Sequence, residues 1–366
     1  MLLFQQKKDK QGESNKVFSI LSQDQRVHDC VRQLLSRAGF SQFKHLHSTL
    51  EEMTSGTISS VTSGVIIDIS GQENMELTLA TVQSLIPRNV WCCVVGNSDS
   101  ITLARRWAHN NILYFLLPDQ EDDFVAAVIN GETARVKRKA SSITVLGCKG
   151  GVGTSTLAWR LAGQLGQQHS MPTLFIQDKS GSRDLPFRVD KKLSQIALTV
   201  DRNLDVLAWP SSGLPLLEEE AYSKYHYVIF DACANTLSKE ELRALVEFSS
   251  CLVLVLDRSA CALKQAHEIH EIVDSINRIQ PVPHRLIFCL NDTRPVTMDM
   301  LSVDNIESVL GTPLSVAFRY QKHWGSPLGV SDGKGSAMSQ LTSRVLGMSG
   351  ERRQSVLRRL LKRGRG

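Results

Sequence analysis

The chain has 366 residues, which is more than one ordinary core holds and indicates about two domains. No apolar run reaches the about 18 residues of a membrane-spanning helix, and the first residues lack the order of a secretion signal, so we expect a cytoplasmic protein. The net charge is +5, but residues 351–366 alone hold seven Lys or Arg and one Glu. The remainder is nearly neutral, and we do not expect nucleic acid as a partner. The eight cysteines lack C-x-x-C spacing, which argues against a disulfide framework or a zinc site.

The first part of the chain alternates short apolar runs with amphipathic stretches. Residues 1–16 are polar and predict a disordered leader. Strands are predicted at 17–21, 43–46, 65–69, 90–95 and 112–117, and helices at 25–38, 75–85, 100–109 and from 121 onward. This alternation over residues 17–130 predicts a five-stranded parallel sheet flanked by helices.

An aspartate, Asp68, lies near the end of the third predicted strand of this domain. The arrangement resembles the receiver domains of response regulators, and the resemblance places the phosphorylated aspartate at Asp68. Ser22 and Gln23 align with the usual acidic pair, Asp24 is the only acid left nearby, and Leu117 stands in place of the usual lysine. Without those acids to hold Mg²⁺, we interpret the domain as a pseudo-receiver. A structural or dimer-surface role for Asp68 is favoured over the alternative, phosphorylation.

Residues 131–141 are polar and basic and predict a linker. A second alternating pattern follows from 142 to 348. Its predicted strands are 143–146, 173–176, 204–208, 227–231, 251–256, 285–290 and 314–317, and its predicted helices are 155–168, 238–248, 260–278, 303–310 and 336–347. The sequence therefore predicts an α/β protein of two doubly wound domains, a receiver-like (flavodoxin-like) N-terminal domain and a P-loop NTPase-like C-terminal domain.

A glycine-rich loop joins the first strand of the second domain to a helix. Its predicted nucleotide-binding residues are Lys149, Gly150, Gly151, Val152, Gly153, Thr154, Ser155 and Thr156. The glycines allow several N–H groups to point at one anion, and the helix adds the positive end of its dipole. Thr154 stands where a phosphate-binding lysine is usual, whereas Ser155 keeps the hydroxyl that contacts Mg²⁺. ATP with Mg²⁺ is the expected cofactor.

A second element of the predicted site is an acid that follows an apolar strand. Asp231 ends the run 227–231, about eighty residues after the loop. This pattern is typical of the Walker B aspartate that reaches the hydration shell of Mg²⁺. A capping aspartate at a strand end has the same appearance, so the motif gains its meaning from the loop that precedes it.

The position of Lys149, ahead of paired glycines, resembles the deviant Walker A loop of the ParA/MinD family of ATPases. In that family this lysine acts across a dimer interface, so the resemblance implies a homodimer. Aligned on the family's second-strand motif, Gln177 and Lys179 replace two aspartates, and Gln177 cannot accept a proton from an attacking water. The family also places an asparagine on the adenine edge, here Asn291. The resemblance therefore implies weak ATP binding and no, or very weak, ATPase activity.

The order of the two domains points to a smaller group within that family. With its receiver-like domain ahead of the ATPase-like domain, the chain resembles the TadZ/CpaE family of pilus assembly proteins. Asp184-Leu185, Asp190 and the segment 325–328 support the same resemblance. That family implies a dimeric scaffold at the inner membrane, at a cell pole, which assembles a Flp (Tad-type) pilus machine of the type II/IV secretion class. Its partners would be the pilus secretion ATPase and other assembly components. The alternatives are an active MinD-type membrane-cycling ATPase and a ParA-like DNA-partition ATPase.

Residues 349–366 form a basic tail. If 351–363 are helical, Val356, Leu357, Leu360 and Leu361 fall on one side and the basic residues border it. Such a helix can lie on an anionic membrane, where each basic residue contributes about 1 kcal/mol. A basic end that only increases solubility is the equal alternative.

Overall fold

The computed structural model describes residues 17–50, 52, 53, 58, 62–87, 90–131, 140–169, 171–179, 181–193, 196–209, 224–279, 284–321 and 336–347. The predicted leader, most of the predicted linker, the segment 325–328 and the basic tail lie outside these residues. The chain divides into two compact units, Met1–Lys139 and Ala140–Gly366. None of the helices in the described ranges has the length and hydrophobicity of a bilayer-spanning segment.

The first unit alternates strands and helices throughout. Its strands are β1 (Val17–Leu21), β2 (Gln42–Leu46), β3 (Gly64–Asp68), β4 (Trp91–Gly96) and β5 (Leu113–Leu116). Its helices are α1 (Gln25–Arg37), α2 (Met75–Leu85), α3 (Ile101–His109) and α4 (Glu121–Gly131). All neighbouring strands are parallel in the order β2-β1-β3-β4-β5, which is the order of the flavodoxin-like doubly wound class.

The central strands of the first unit are buried on both faces, as a parallel sheet covered by helices requires. Val65, Ile66 and Ile67 in β3 have no exposed surface. On one face, Phe18 of β1 packs in a cluster that contains Phe124 of α4. The apolar runs that predicted strands therefore form the centre of this core.

The second unit is built around a larger sheet. Its strands are β6 (Ser141–Gly147), β7 (Thr173–Gln177), β8 (Leu198–Asp201), β9 (Leu204–Ala208), β10 (Tyr227–Cys233), β11 (Cys251–Leu256), β12 (Arg285–Asn291) and β13 (Val316–Phe318). Its helices are α5 (Thr154–Gly163), α6 (Leu185–Val189), α7 (Lys239–Phe248), α8 (Ala260–Asn277), α9 (Val303–Leu310) and α10 (Ala337–Val345).

The eight strands lie in the order β13-β12-β11-β6-β10-β7-β9-β8, and only the edge pair β8–β9 is antiparallel. Residues of α5 and α10 pack on one face of the sheet, and residues of α7, α8 and α9 pack on the other. Successive residues of β6 divide between these cores, Val145 toward the first and Leu146 toward the second. The period-two alternation of a strand thus builds two helix layers over one sheet.

The α/β class predicted from the sequence is confirmed, with differences in detail. The predicted helix 155–168 is α5 followed by a π-helical turn, Gln164–Gln168. Within that turn, a Cβ on Gly166 would lie 3.0 Å from the carbonyl oxygen of Asn203, so the chain approaches the β8–β9 connection closely. Strand β6 begins at Ser141, inside the segment predicted as linker. Strand β8 was missed because an edge strand of four residues has too short an alternation to detect.

Candidate functional site

The glycine-rich loop lies where β6 ends at the middle of the second sheet. Strand β6 pairs with β11 on one side and with β10 on the other, although β7 is the next strand along the chain. The connections after β6 and after β10 therefore leave the sheet toward opposite sides. In open α/β sheets, ligands bind at such a switch point, outside the carboxyl ends of the strands.

Two glycines of this loop adopt left-handed conformations, with φ of +81° at Gly151 and +85° at Gly153. Gly153 precedes α5, and no side chain caps the first turn of that helix. The exposed crest of the loop is Gly150 and Gly151, and Val152 anchors it with a side chain that has no exposed surface. The N–H groups of the first turn and the loop backbone therefore form an uncapped, glycine-lined end that suits an anion.

Asn291, the last residue of β12, contacts the backbone of the glycine-rich loop. Its Nδ2 donates to the carbonyl oxygen of Val152 at 2.8 Å, and a Cβ on Gly153 would collide with the same nitrogen. Its Oδ1 is buried and has no hydrogen-bond partner among the described residues. The structure thus assigns Asn291 a contact with the loop backbone, and its predicted place at the adenine edge stays a prediction.

The three hydroxyl residues after the glycines point in different directions. Thr154 packs back on Gly147, so its side chain is turned toward the end of β6. Ser155 lies close enough to Asp231 to lower the pKa of that carboxyl, and its Oγ accepts from the backbone N–H of Ser182 at 3.4 Å. Thr156 accepts a hydrogen bond from Arg188 at 3.3 Å. Only Ser155 therefore joins the loop to the acid of β10.

Lys149 forms an ion pair within its own chain. Its Nζ lies 2.9 Å from Oδ2 of Asp257, which directly follows β11, and the lysine side chain is 31% exposed. Burial raises the pKa of Asp257, but hydrogen bonds from Ser259 and Lys149 outweigh it, so that the pKa lies below its ordinary value. The predicted action of Lys149 across a dimer interface stays a prediction.

Gln177, the last residue of β7, connects the acids of the site. Its Nε2 lies 3.2 Å from Oδ2 of Asp231, and its Oε1 accepts from the backbone N–H of Leu185 at 3.2 Å. Asp231 has no exposed surface, and its Oδ1 has no hydrogen-bond partner in the described part of the chain. Burial raises the pKa of Asp231 to about 6, although hydrogen bonds from Ser155 and Gln177 oppose the shift.

A third side chain, Asp184, extends this network toward the surface. It accepts hydrogen bonds from Gln177 at 3.2 Å, from Arg188 at 2.7 Å and from Ser182. Burial raises the pKa of Asp184, but the hydrogen bonds from Arg188, Ser182 and Gln177 lower it by more than burial raises it. The net shift is therefore downward. Lys179, the other predicted substitution, is exposed.

The two sides of this site differ, and only the side formed by the loop and the start of α5 fits a phosphate group. The uncapped end of α5 and the glycine backbone offer N–H groups to an anion. The acids that would face a divalent cation or its water shell are instead bonded to N–H donors of Gln177 and Arg188. Across the described residues, no cluster of three His, Cys, Asp or Glu is arranged to hold a metal ion. The geometry therefore fits phosphate, whereas the acid side does not fit a divalent cation.

Sequence reasoning missed two residues of the site. Asp257 was overlooked as the partner of Lys149, although an acid directly after a buried apolar run is the signal that had identified Asp231. Arg258 was also overlooked, and it forms a two-pronged ion pair with Asp292 at 2.7 and 3.2 Å. Nothing in the local sequence predicts that pair, because its partners lie on the connections after β11 and β12.

The predicted pseudo-receiver residues occupy the carboxyl end of the first sheet. Asp68 ends β3, where its Oδ2 accepts from the Ser22 hydroxyl at 2.7 Å and its Oδ1 accepts from the Ser70 N–H at 2.9 Å. Asp24 caps α1 by accepting from the N–H of Arg26 at 2.8 Å. The carboxylate of Asp24 is thereby used by its own helix.

No protein-family model and no curated protein matches the sequence. Among solved structures, the chain is similar to a chain of the MinC:MinD cell division protein complex of Aquifex aeolicus, with 17% identity, 57% of this chain and 97% of that chain covered, and a TM-score of 0.45. It is similar to a ParA family ATPase from Chlorobium tepidum TLS (20%, 57% and 98%, 0.40). It is also similar to the MinD of Pyrococcus horikoshii OT3 in complex with Mg-ADP (13%, 57% and 94%, 0.39). Because these sequence identities and TM-scores are low, the function of this chain has to be argued from its own residues.

Proposed function

We propose that the second unit binds the phosphates of ATP and turns it over slowly or not at all, so that the chain acts as a scaffold of the ParA/MinD type. The observation that carries this proposal is the combination of an uncapped glycine-lined helix end with an amide, that of Gln177, bonded to the acid of β10. A site of this kind keeps the attraction for an anion, and the residue at the position of the family's water-activating acid is an amide, which does not accept a proton from water.

Binding is supported by the backbone of the loop. The left-handed glycines Gly151 and Gly153 shape it, and Asn291 bonds to the carbonyl between them. These contacts exist in the chain by itself, so the cradle does not have to be formed by the ligand. Preorganisation of this kind lowers the cost of binding.

Slow turnover is supported by the charged and polar side chains. Thr154 offers no positive charge to the outer phosphates, and Lys149 is held by Asp257. Gln177 stands where a catalytic acid is expected from the family resemblance, and an amide does not act as a general base. Charge stabilisation and the orientation of the attacking water supply much of the catalysis of phosphoryl transfer, so a site that keeps its phosphate cradle and loses these two contributions still binds.

The scaffold role in this proposal follows the resemblance to the TadZ/CpaE proteins. We propose a homodimer at the inner membrane, at a cell pole, that recruits the pilus secretion ATPase and other Tad-type components. Two features of the first unit support a pseudo-receiver used for protein contacts. Its sheet is parallel, and both carboxylate oxygens of Asp68 already accept hydrogen bonds.

The proposal is tested by titration calorimetry with ATP and ADP, together with a phosphate-release assay and sedimentation. Gly151→Asp places a negative charge on the crest of the loop, at a left-handed position where a Cβ meets no atom within 4 Å. Gly311→Asp is the matched control, since Gly311 is also left-handed and open but lies after α9. We expect Gly151→Asp to weaken ATP binding at least about 10-fold through charge repulsion, and Gly311→Asp to leave it unchanged.

Two results would contradict the proposal. Equal ATP affinity of Gly151→Asp and the wild type would show that the loop is not the binding site. Sustained phosphate release by the wild type would favour the alternative of an active, membrane-cycling ATPase.

A further inference from the structure

The amide nitrogen of Gln177 lies at the meeting point of three oxygens. Nε2 is 3.2 Å from Oγ of Ser182, 3.2 Å from Oδ1 of Asp184 and 3.2 Å from Oδ2 of Asp231. Two of these oxygens belong to carboxylates, and the third belongs to a hydroxyl. Carboxylate and hydroxyl oxygens that converge at one place are the ligands or outer ligands of a hard divalent cation.

The hydrogen-bonding capacity of the amide explains why no cation is needed to bring these oxygens together. A glutamine Nε2 carries two N–H donors, and these are shared among the three oxygens that surround it. The partial positive charge on these hydrogens reduces the repulsion between Asp184 and Asp231. Asp231 has no exposed surface, so its Oδ2 has the amide in place of water.

The orientation of the amide is set by its other end. Oε1 accepts from the backbone N–H of Leu185 at 3.2 Å, which identifies the oxygen and leaves Nε2 toward the acids. The side chain is only 4% exposed at the end of β7. The backbone of Gly181 lies against this side chain, because a Cβ on Gly181 would lie 3.3 Å from Cγ of Gln177 and 3.1 Å from Oδ2 of Asp231. A change of rotamer that vacates this position therefore requires the loop to move.

We propose that the Gln177 amide takes the place of a divalent cation in this chain, because it bonds to one oxygen of each of the two acids, Asp184 and Asp231. The consequence for the nucleotide, which rests on the proposed function, is a site whose affinity for ATP does not depend on Mg²⁺. The orphan Oδ1 of Asp231 does not change this conclusion, since one buried oxygen offers a cation a single contact.

The first test uses metal without nucleotide. Mn²⁺ binding to the full chain is measured by electron paramagnetic resonance for the wild type, Gln177→Glu and Gln177→Ala. Gln340→Glu is the matched control, because it adds the same charge at an exposed position of α10. Gln177→Glu puts a third carboxylate among the oxygens, and Gln177→Ala opens the space that the amide fills. We expect one Mn²⁺ site in Gln177→Glu at least about 10-fold tighter than any site in the wild type or the control.

Gln177→Ala keeps this test decisive if three carboxylates prevent Gln177→Glu from folding. With the amide removed, Asp184 and Asp231 should bind Mn²⁺ more tightly than they do in the wild type. A wild type that binds Mn²⁺ as tightly as either variant overturns the proposal, and so does a pair of variants that both match Gln340→Glu.

The second test compares ATP affinity in Mg²⁺ and in EDTA. We expect the wild-type dissociation constant to change by less than about 3-fold, and that of Gln177→Glu to weaken at least about 10-fold on chelation. A wild-type loss of 10-fold or more on chelation overturns the proposal. If the wild type binds no ATP in either buffer, the proposed function fails, and the Mn²⁺ comparison decides the role of Gln177 by itself.

Discussion

Each unit places an aspartate in the carboxyl-terminal part of a central strand, Asp68 as the last residue of β3 and Asp231 two residues before the end of β10, and the two aspartates have opposite surroundings. Asp68 in the first unit accepts a hydroxyl and a backbone N–H, one on each oxygen. Asp231 in the second unit has no exposed surface and one oxygen without a partner in the described ranges. The acid by itself therefore does not distinguish a ligand site from an ordinary strand end.

The difference lies in the connection that follows the first strand of each sheet. After β1, Asp24 bonds to the first turn of α1, so that helix carries its own anion. After β6, Gly153 begins α5 without any side-chain cap. The carboxylate of Asp24 occupies one N–H group of the first turn of α1 and places a negative charge at the positive end of the helix dipole. The glycine at the start of α5 leaves these N–H groups and the dipole to a ligand.

The largest effect that tests this comparison comes from a methyl group added to each unit. Gly71 and Gly153 both have positive φ, but a Cβ on Gly71 meets no atom within 4 Å, whereas a Cβ on Gly153 collides with Asn291. Gly71→Ala should cost about 1 kcal/mol of unfolding free energy from the backbone strain alone. Gly153→Ala should cost about 3 kcal/mol, because it adds the displacement of a buried side chain. Urea unfolding measures both.

Equal costs for the two glycine variants would show that Asn291 moves away easily and does not shape the loop. In that case the contact between Asn291 and Val152 would have no part in the nucleotide site. Nucleotide titration of the folded Gly153→Ala variant would add a second readout, since the loop backbone itself would be altered.

A third aspartate, Asp205, is buried beside a lysine, whereas Asp231 is buried beside an amide. Asp205 of β9 is 6% exposed and accepts from Nζ of Lys224 and from the hydroxyl of Tyr225, each at 2.6 Å. Burial raises the pKa of Asp205, but these bonds outweigh it and the net shift is downward from the ordinary 3.8. Asp231, with an amide for a partner, has a raised pKa.

Asp205→Asn should therefore lose stability in a pH-dependent way. A carboxyl with a lowered folded-state pKa stabilises above its unfolded pKa, and that stabilisation disappears as the pH falls through the folded value. At pH 7, we expect Asp205→Asn to be about 2 kcal/mol less stable than the wild type, from the loss of bonds to a charged acceptor. The gap should narrow below about pH 4. An equal gap at pH 7 and pH 3 in urea unfolding would show that the charge of Asp205 contributes nothing.

The sequence predicted those parts of the molecule that depend on short-range pattern. Apolar runs such as 251–256 predicted the central strands, because a strand buried on both faces needs an unbroken run. The loop residues 149–156 could be predicted because glycine spacing and hydroxyls are local. Asp231 was predicted as a site residue from its distance along the chain from that loop.

Other parts of the site depend on contacts between strands that are distant in sequence. The meeting of Gln177 with Asp231 requires β7 and β10 to be neighbours in register, with Gln177 opposite Asp231. The pair of Lys149 with Asp257 requires β11 to lie beside β6. Neither adjacency follows chain order, since β10 inserts between β6 and β7. The sequence therefore showed that a glutamine stands at position 177 where the family has an acid, but it did not show that this amide bonds to Asp231.

The smallest predicted effect tests the first unit's side of the comparison. Ser22→Ala removes the hydroxyl that donates to Asp68 at 2.7 Å and leaves the bond from Ser70 in place. The same hydroxyl oxygen also accepts from the backbone N–H of Asp24 at 3.0 Å, so the variant loses that bond too. We expect a loss of about 1 kcal/mol in urea unfolding, because water replaces only part of these bonds. Ser36→Ala is the control, since Ser36 is exposed and its hydroxyl only bonds back to its own helix, so a change within about 0.5 kcal/mol is expected. A loss no larger than that of the control would show that the hydrogen bond from Ser22 to Asp68 contributes no measurable stability to the first unit.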